Sequence, residues 1–425
     1  LPTALPSSVL TAPATTARPP ASAPAPRAPV PARTGVRPQR DPFVDGIRVA
    51  GTLLVVALHW LMVEATWDGH VLRVGNALAH GDAWVLTWLQ PLPLLFFAAG
   101  AAARYDLLRH PGRPGWRFAG ARLLRMARPV AVFAVAWAGM LVLLPRLGVP
   151  GAAVERVARI APQPLWFLAV QLGLLAVTPL ALRVLARWGP VRVLTVLVAL
   201  PLAADVLRFS DVVPTAGLVN VLLVWAVPYV GGLVHAQRHV RGATTAGRAR
   251  LSAERTVLAL LVAAGLAATV LLLATGPYPA SLIGMPGDAI SNLGPPTAPV
   301  VGFAVAQVAA ALLLRDAIAR WASRSRACRW VGPRAMGLYL WHLPAMFAVA
   351  GVVLLAADGG LPEPWTAAWW LSRPLHLTAA ALVLAALVTS ATRVERLLTA
   401  GAGRARAGRT TRPPLARRDG AFLRG

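Results

Sequence analysis

The sequence contains no lysine, a single cysteine and few acids. All 42 of its basic residues are arginine, against 16 Asp and Glu. The lack of lysine, beside abundant Ala, Gly, Pro and Arg, reflects compositional bias and carries no functional signal. Cys328 alone excludes an internal disulfide and a cysteine-rich metal site, so no metal is expected. Charged residues make up 14% of the chain and hydrophobic ones 57%. Soluble globular proteins carry about 25% charged residues. That shortfall makes lipid the expected solvent. Residues 1–42 are Pro, Ala, Thr and Arg with no apolar periodicity and no apolar core of signal-peptide type. A disordered cytoplasmic tail is expected there.

What is abundant is apolar sequence of spanning length, since a helix needs about 20 such residues to cross the hydrocarbon core. Ten runs qualify: 43–63, 84–103, 129–146, 164–185, 190–208, 216–236, 256–275, 298–318, 335–356 and 375–395. The expected fold is an all-α polytopic membrane bundle of about ten transmembrane helices. It occupies 43–398, and an Arg-rich disordered tail follows over 399–425.

The formal charge of +26 could signal nucleic acid, but its placement argues otherwise. With the N-terminus inside, 36 of the 42 arginines fall in the tails and the cytoplasmic loops. Only Arg73, Arg146, Arg156, Arg159, Arg208 and Arg373 fall outside. This is the positive-inside pattern, with both termini cytoplasmic and no nucleic-acid partner. The partner it implies is the bilayer of the plasma membrane.

Ionisable groups within spans are functional candidates. The first span holds Asp45, Arg48 and His59. Asp45 and Arg48 can pair across one turn. His59 lies 11 residues past Arg48. That is roughly 16 Å along the helix and nearly the same face. Before the third span, Arg122, Arg125 and Arg128 at i, i+3 and i+6 form a stripe ahead of Pro129. Guanidinium forks suit phosphate oxygens. The fourth span opens with Gln163-Pro164-Leu165-Trp166-Phe167-Leu168, and the ninth carries Tyr339, Leu340, Trp341 and His342. His342 enters the membrane to about 12 Å, a depth like that of His59, so the two could share a cavity. Two long external segments are candidate acceptor contacts: 147–167 with Glu155, Gln163 and Trp166, and 276–297 with Tyr278, Asp288 and Asn292.

Taken in order, these motifs resemble those of the acyltransferase family 3 membrane proteins, from about Asp45 to Leu398. The resemblance rests on Asp45-Gly46-x-Arg48 with ten residues before His59, on Arg122-x-x-Arg125 with Pro129, on Trp166-Phe167-Leu168, and on Tyr339-Leu340-x-His342. The chain departs from the family pattern at Ala99 and at Ala335-Met336, where hydroxyl residues are common. The resemblance implies transfer of an acyl group from acyl-CoA, acetyl-CoA foremost, to a hydroxyl of a carbohydrate or glycolipid acceptor. Acyl-CoA would be a co-substrate, with no bound cofactor. His59 would be the general base, supported by Arg48 and Asp45. Arg122, Arg125 and Arg128 would hold the donor phosphates. Tyr339, His342 and Trp166 would contact the acceptor or the developing oxyanion. The alternative is a ten-helix transporter or flippase, in which intramembrane histidines relay protons.

Overall fold

Asp41 and Pro42 start the first helix. The Asp41 carboxylate accepts a hydrogen bond from Phe43 N at 3.0 Å, and Pro42 supplies a helical φ at the first turn. The computed structural model describes residues 40–241, 248–356 and 360–410. Residues 1–39 of the expected N-terminal tail and 411–425 of the C-terminal tail lie outside the described residues.

The chain runs through α1 (Pro42–Met62), β1 (Val63–Trp67), β2 (Leu72–Asn76), a 3-10 segment (Gly81–Leu89), α2 (Leu92–Arg109) and α3 (Gly115–Arg146). It continues through α4 (Gly151–Ile160), α5 (Leu165–Trp188), α6 (Pro190–Phe209), α7 (Asn220–Arg241) and α8 (Arg248–Thr275). The last elements are α9 (Ala298–Leu313), α10 (Arg315–Arg324), α11 (Arg326–Val331), α12 (Ala335–Ala356) and α13 (Ala367–Thr410). Among the described residues, nine helical stretches are long and apolar enough to cross a membrane, and the bent pair α9 and α10 makes a tenth. The chain is a helical membrane bundle. Large apolar side chains such as Leu260, Val270, Leu371 and Leu382 are exposed on its outer faces, as expected where lipid replaces water.

Three local features differ from the sequence expectation. The eighth span does not run straight through 298–318. It breaks after Leu313, and α10 leaves at 67°. The residues beyond the break, Arg315, Asp316, Arg320 and Arg324, are costly in hydrocarbon, so the chain turns where they begin. The second span is a 3-10 segment followed by α2, because Pro91 and Pro93 start a new helix at Leu92. The third helix begins at Gly115, so the arginine stripe lies on α3 itself.

The described fold also contains strand. β1 and β2 pair antiparallel from Val63↔Asn76 to Trp67↔Leu72. Gly69, at φ 93°, takes the turn. Asp68 caps it by accepting from Val71 N at 2.8 Å and His70 N at 3.0 Å, and these two bonds hold its carboxyl below the usual carboxylate range. The segment after α12 adds to this hairpin, with Leu361 N donating to Ala65 O at 3.3 Å. α4 likewise occupies part of the expected external loop 147–167.

Backbone contact fixes the centre. A Cβ on Gly100 would lie 1.9 Å from Tyr229 O, and one on Gly232 would lie 2.0 Å from Phe97 O. α2 and α7 therefore touch main chain to main chain, the close approach that small residues permit in lipid. Around this pair lie the buried Phe96, Phe167, Trp225 and Leu233.

Candidate active site

α1 carries its polar residues along one side. Asp45 accepts from Arg48 Nη2 at 2.9 Å and also pairs with Arg40. Arg48 sits near Gly332, at the turn into α12, where a Cβ would be 3.8 Å from its Nη2. The ion pair thus forms where α1, α11 and α12 converge, at the arginine-rich end of the bundle.

Three turns further along α1, the His59 ring lies 4.9 Å from the His342 ring, centroid to centroid, at 74°. The structure therefore brings together two histidines that are 283 positions apart in sequence. Trp60 Nε1 donates to His342 O at 3.0 Å and locks α1 to α12 at this level. Each ring is oriented by a carbonyl of its own helix. His59 Nδ1 lies 2.7 Å from Val55 O, and His342 Nδ1 lies 2.6 Å from Tyr339 O. A carbonyl only accepts, so each Nδ1 carries the hydrogen and each neutral ring keeps its lone pair on Nε2. His342 is fully buried, and its Nε2 has no partner among the described residues. Two neutral imidazoles thus meet inside the bundle with no carboxylate bonded to either among the described residues.

A chain of rings leads away from this pair. Tyr339 lies 6.0 Å from His342 and 5.4 Å from Phe167, and Phe167 lies 4.7 Å from Phe96. Phe96 stacks on Trp225 at 4.9 Å, and Trp225 lies 6.1 Å from Trp166. The Tyr339 hydroxyl donates to Pro164 O, so it fastens α12 to the start of α5. Trp166 is 39% exposed at the rim of this cluster.

The three arginines of the stripe on α3 differ in state. Arg122 donates to Asp106 Oδ2 at 3.3 Å and to Ala102 O at 3.0 Å, which ties α3 to α2. Arg125 and Arg128 are exposed and make no ion pair among the described residues. Beside Asp106 runs an open crevice of about 400 Å³, lined by Arg104, His110, Arg113 and Pro179 among others.

The residues expected in the two outer segments have local partners. Asn292 Nδ2 donates to Pro279 O and Ser281 O at 2.7 and 2.8 Å, and Asp288 accepts from Met285 N at 2.8 Å. Tyr278 donates to Asp205 Oδ2 at 3.0 Å, and burial, with the Asp205 contact second, pushes its phenol upward. Glu155 pairs with Arg159 one turn along α4.

Sequence reasoning missed a second buried cluster at the arginine-rich end. Asp41 accepts from Tyr105 OH at 2.7 Å and from His235 Nε2 at 3.1 Å, joining α1, α2 and α7. His235 stacks on His239 at 6.0 Å, and His239 Nδ1 lies 3.2 Å from Arg315 Nη2. Burial is the largest influence on the Asp41 carboxyl and pushes it up. The bonds from His235 and Tyr105, with the nearby imidazoles, outweigh it and hold the group well below the usual carboxylate range. The available signal was His235 and His239 at i, i+4, on one face of a span.

Residues 41–392 match the family model described as an acyltransferase domain. No curated protein and no solved structure matches the chain. With most of its length inside that match, this helical bundle with a paired-histidine interior belongs to the acyltransferase 3 family and is a multi-pass membrane acyltransferase.

Proposed function

We propose that this acyltransferase moves an acyl group, acetyl foremost, from acyl-CoA to a hydroxyl of a carbohydrate-type or glycolipid acceptor, with His59 as the general base. The observation that supports it most is the histidine pair: two rings 4.9 Å apart, each with Nδ1–H tied to its own helix and Nε2 left as a base. In this reading the acceptor hydroxyl gives its proton to His59 Nε2 as its oxygen attacks the thioester carbonyl. A carbon–oxygen bond forms, the carbon–sulfur bond breaks, and the CoA thiolate leaves with the proton returned from His59. A neutral His342 accepts at Nε2, so its part is to take a hydrogen bond from a second, neighbouring hydroxyl of the acceptor and so orient the one that reacts. Tyr339, its hydroxyl on Pro164, positions His342 through ring contact.

The donor enters from the arginine-rich end, taken as the cytoplasmic face of the plasma membrane, where both termini also lie. CoA carries phosphates, and Arg48, Arg125 and Arg128 offer guanidinium forks to them. Arg122, held by Asp106, shapes the neighbouring crevice for the nucleotide. The pantetheine arm then covers the roughly 16 Å from Arg48 to His59. The ten-helix domain over 43–398 is the catalytic unit.

The test is acetyl-CoA binding and thioester turnover by purified protein in detergent. Wild type is expected to bind and cleave, His59→Ala to bind without cleaving, and Arg125→Ala to bind weakly. A folded wild type that neither binds nor cleaves short-chain or long-chain acyl-CoA would refute the donor assignment.

A further inference from the structure

Residues 315–334, between α9 and α12, hold six arginines and one carboxylate, Asp316. None of the six pairs with a carboxylate among the described residues. Their bonds go to neutral groups. Arg315 Nη2 lies 3.2 Å from His239 Nδ1, Arg329 Nη1 donates to Arg324 O at 3.3 Å, and Arg334 Nη1 donates to Trp330 O at 3.0 Å. Arg334 also lies 4.9 Å over the Trp330 ring, a contact that leaves its charge uncancelled.

The same stretch has two faces. α10 turns Ile318 and Ala322, at i and i+4, onto the start of α1. A Cβ on Gly46 would lie 2.8 Å from Ile318 Cγ2 and 3.1 Å from Ala322 Cβ. α11 buries Cys328 and Val331, at i and i+3. The other face is open. Arg320, Arg324, Arg326 and Arg329 are exposed, and among them stand Trp321 and Trp330, 43% and 41% exposed. Gly332 turns the closed side toward Arg48, and Trp330 and Arg334, two residues to either side of it, lie about 200° round the helix. The open face therefore looks away from the Asp45–Arg48 ion pair.

α9 crosses the membrane and α10 departs from its axis at 67°. Spanning helices tilt by about 20° on average, so α10 runs nearer the bilayer plane than its normal. A helix in that plane, with an apolar seat and an open face of Trp and Arg, has the make-up of a surface at headgroup level. The indoles suit the headgroup boundary, and the guanidinium forks suit phosphate oxygens.

We propose that the open face of α10 and α11 docks anionic phospholipid headgroups of the leaflet at the arginine-rich end, and that this lipid clamps α10 onto the start of α1. Gly46 lies between Asp45 and Arg48, so the clamp steadies the turn that carries their ion pair.

The test reconstitutes full-length protein in nanodiscs of equal phosphatidylcholine and phosphatidylglycerol, extracts it in mild detergent, and counts the retained lipids by native mass spectrometry. Wild type is expected to keep phosphatidylglycerol over phosphatidylcholine by about tenfold or more, since each arginine near the surface favours anionic lipid several-fold. The triple variant Arg320→Gln, Arg324→Gln, Arg329→Gln is expected to lose most of that preference. The matching Lys triple, which keeps the charge, is expected to keep most of it. A control triple, Arg183→Gln, Arg187→Gln, Arg192→Gln, removes the same charge around the exposed Trp188 where α5 meets α6, and is expected to keep the preference. Melting temperature should rise by a few degrees when phosphatidylglycerol is added to phosphatidylcholine discs, in wild type and in the control triple but not in the Gln triple on α10 and α11. Equal retention of both lipids by wild type, an undiminished preference in the α10 and α11 Gln triple, or an equal loss in the control triple would overturn the proposal. So would stabilisation by free glycerol 3-phosphate as large as that by the lipid. No arm of the test uses acyl-CoA, so its result stands apart from the acyl-transfer reading.

Discussion

Two pairs of histidines are packed into this bundle, and they are treated differently. His235 donates to Asp41, which also takes the Tyr105 hydroxyl and caps α1. His239, stacked on it, meets Arg315. That pair is tied into a network spanning α1, α2, α7 and α10. Among the described residues, His59 and His342 meet each other, no acid pairs with them, and their ring hydrogen bonds go to their own helices. A buried polar group with all its partners holds a fold together. One oriented on one side and open on the other is prepared for a substrate. Partner saturation therefore separates the two pairs where burial does not.

The sharpest way to break this comparison is His59→Gln, which keeps a polar side chain but removes the base. Turnover is expected to fall by about 10² to 10⁴, the usual worth of a positioned general base, with melting temperature nearly unchanged. Thioester assays beside thermal scans read both. Asp41→Asn attacks the other pair. It is expected to destabilise the protein by about 1–3 kcal/mol, the cost of spoiling a buried bonded group, while turnover at low temperature persists. The pH dependence follows from the same group. A carboxyl held below its unfolded value of about 3.9 contributes fully above that pH, and the contribution is lost as pH falls through the lower folded value. Wild-type melting temperature should hold to about pH 4 and then fall, and Asp41→Asn should lack that portion of the fall.

Arg125→Ala is a smaller change. It is expected to raise the donor KM by about tenfold, equivalent to 1.4 kcal/mol, with little change in kcat. Tyr339→Phe is the smallest. Losing its bond to Pro164 O costs about 1 kcal/mol, and a modest drop in kcat should follow as His342 loosens. Initial-rate kinetics at varied acyl-CoA check both.

The sequence was legible where one helix decides the outcome. Hydropathy located the spans, and helical spacing set Asp45 against Arg48 with His59 in line. It was blind where separate helices decide together. The meeting of His59 with His342 depends on the register between α1 and α12, which Trp60 fixes by reaching His342 O. Arg122 read like Arg125, because the Asp106 that binds it lies 16 residues away across a turn. The break after Leu313 reflects Arg315 and Asp316, two charges that the apolar residues before them outweighed in the reading of 298–318 as one span. The hairpin strands, five residues each, are too short for alternation to register. Arg373 looked like an external loop charge, and only packing shows it buried with neutral partners.

The most direct test measures acetyl-CoA turnover and melting temperature side by side in His59→Ala and His235→Ala. The account predicts that His59→Ala melts like wild type and does not turn over, while His235→Ala melts several degrees lower and still turns over in the cold. Turnover surviving in His59→Ala, with His235→Ala stable but inactive, would contradict it and move the chemistry to the Asp41 cluster.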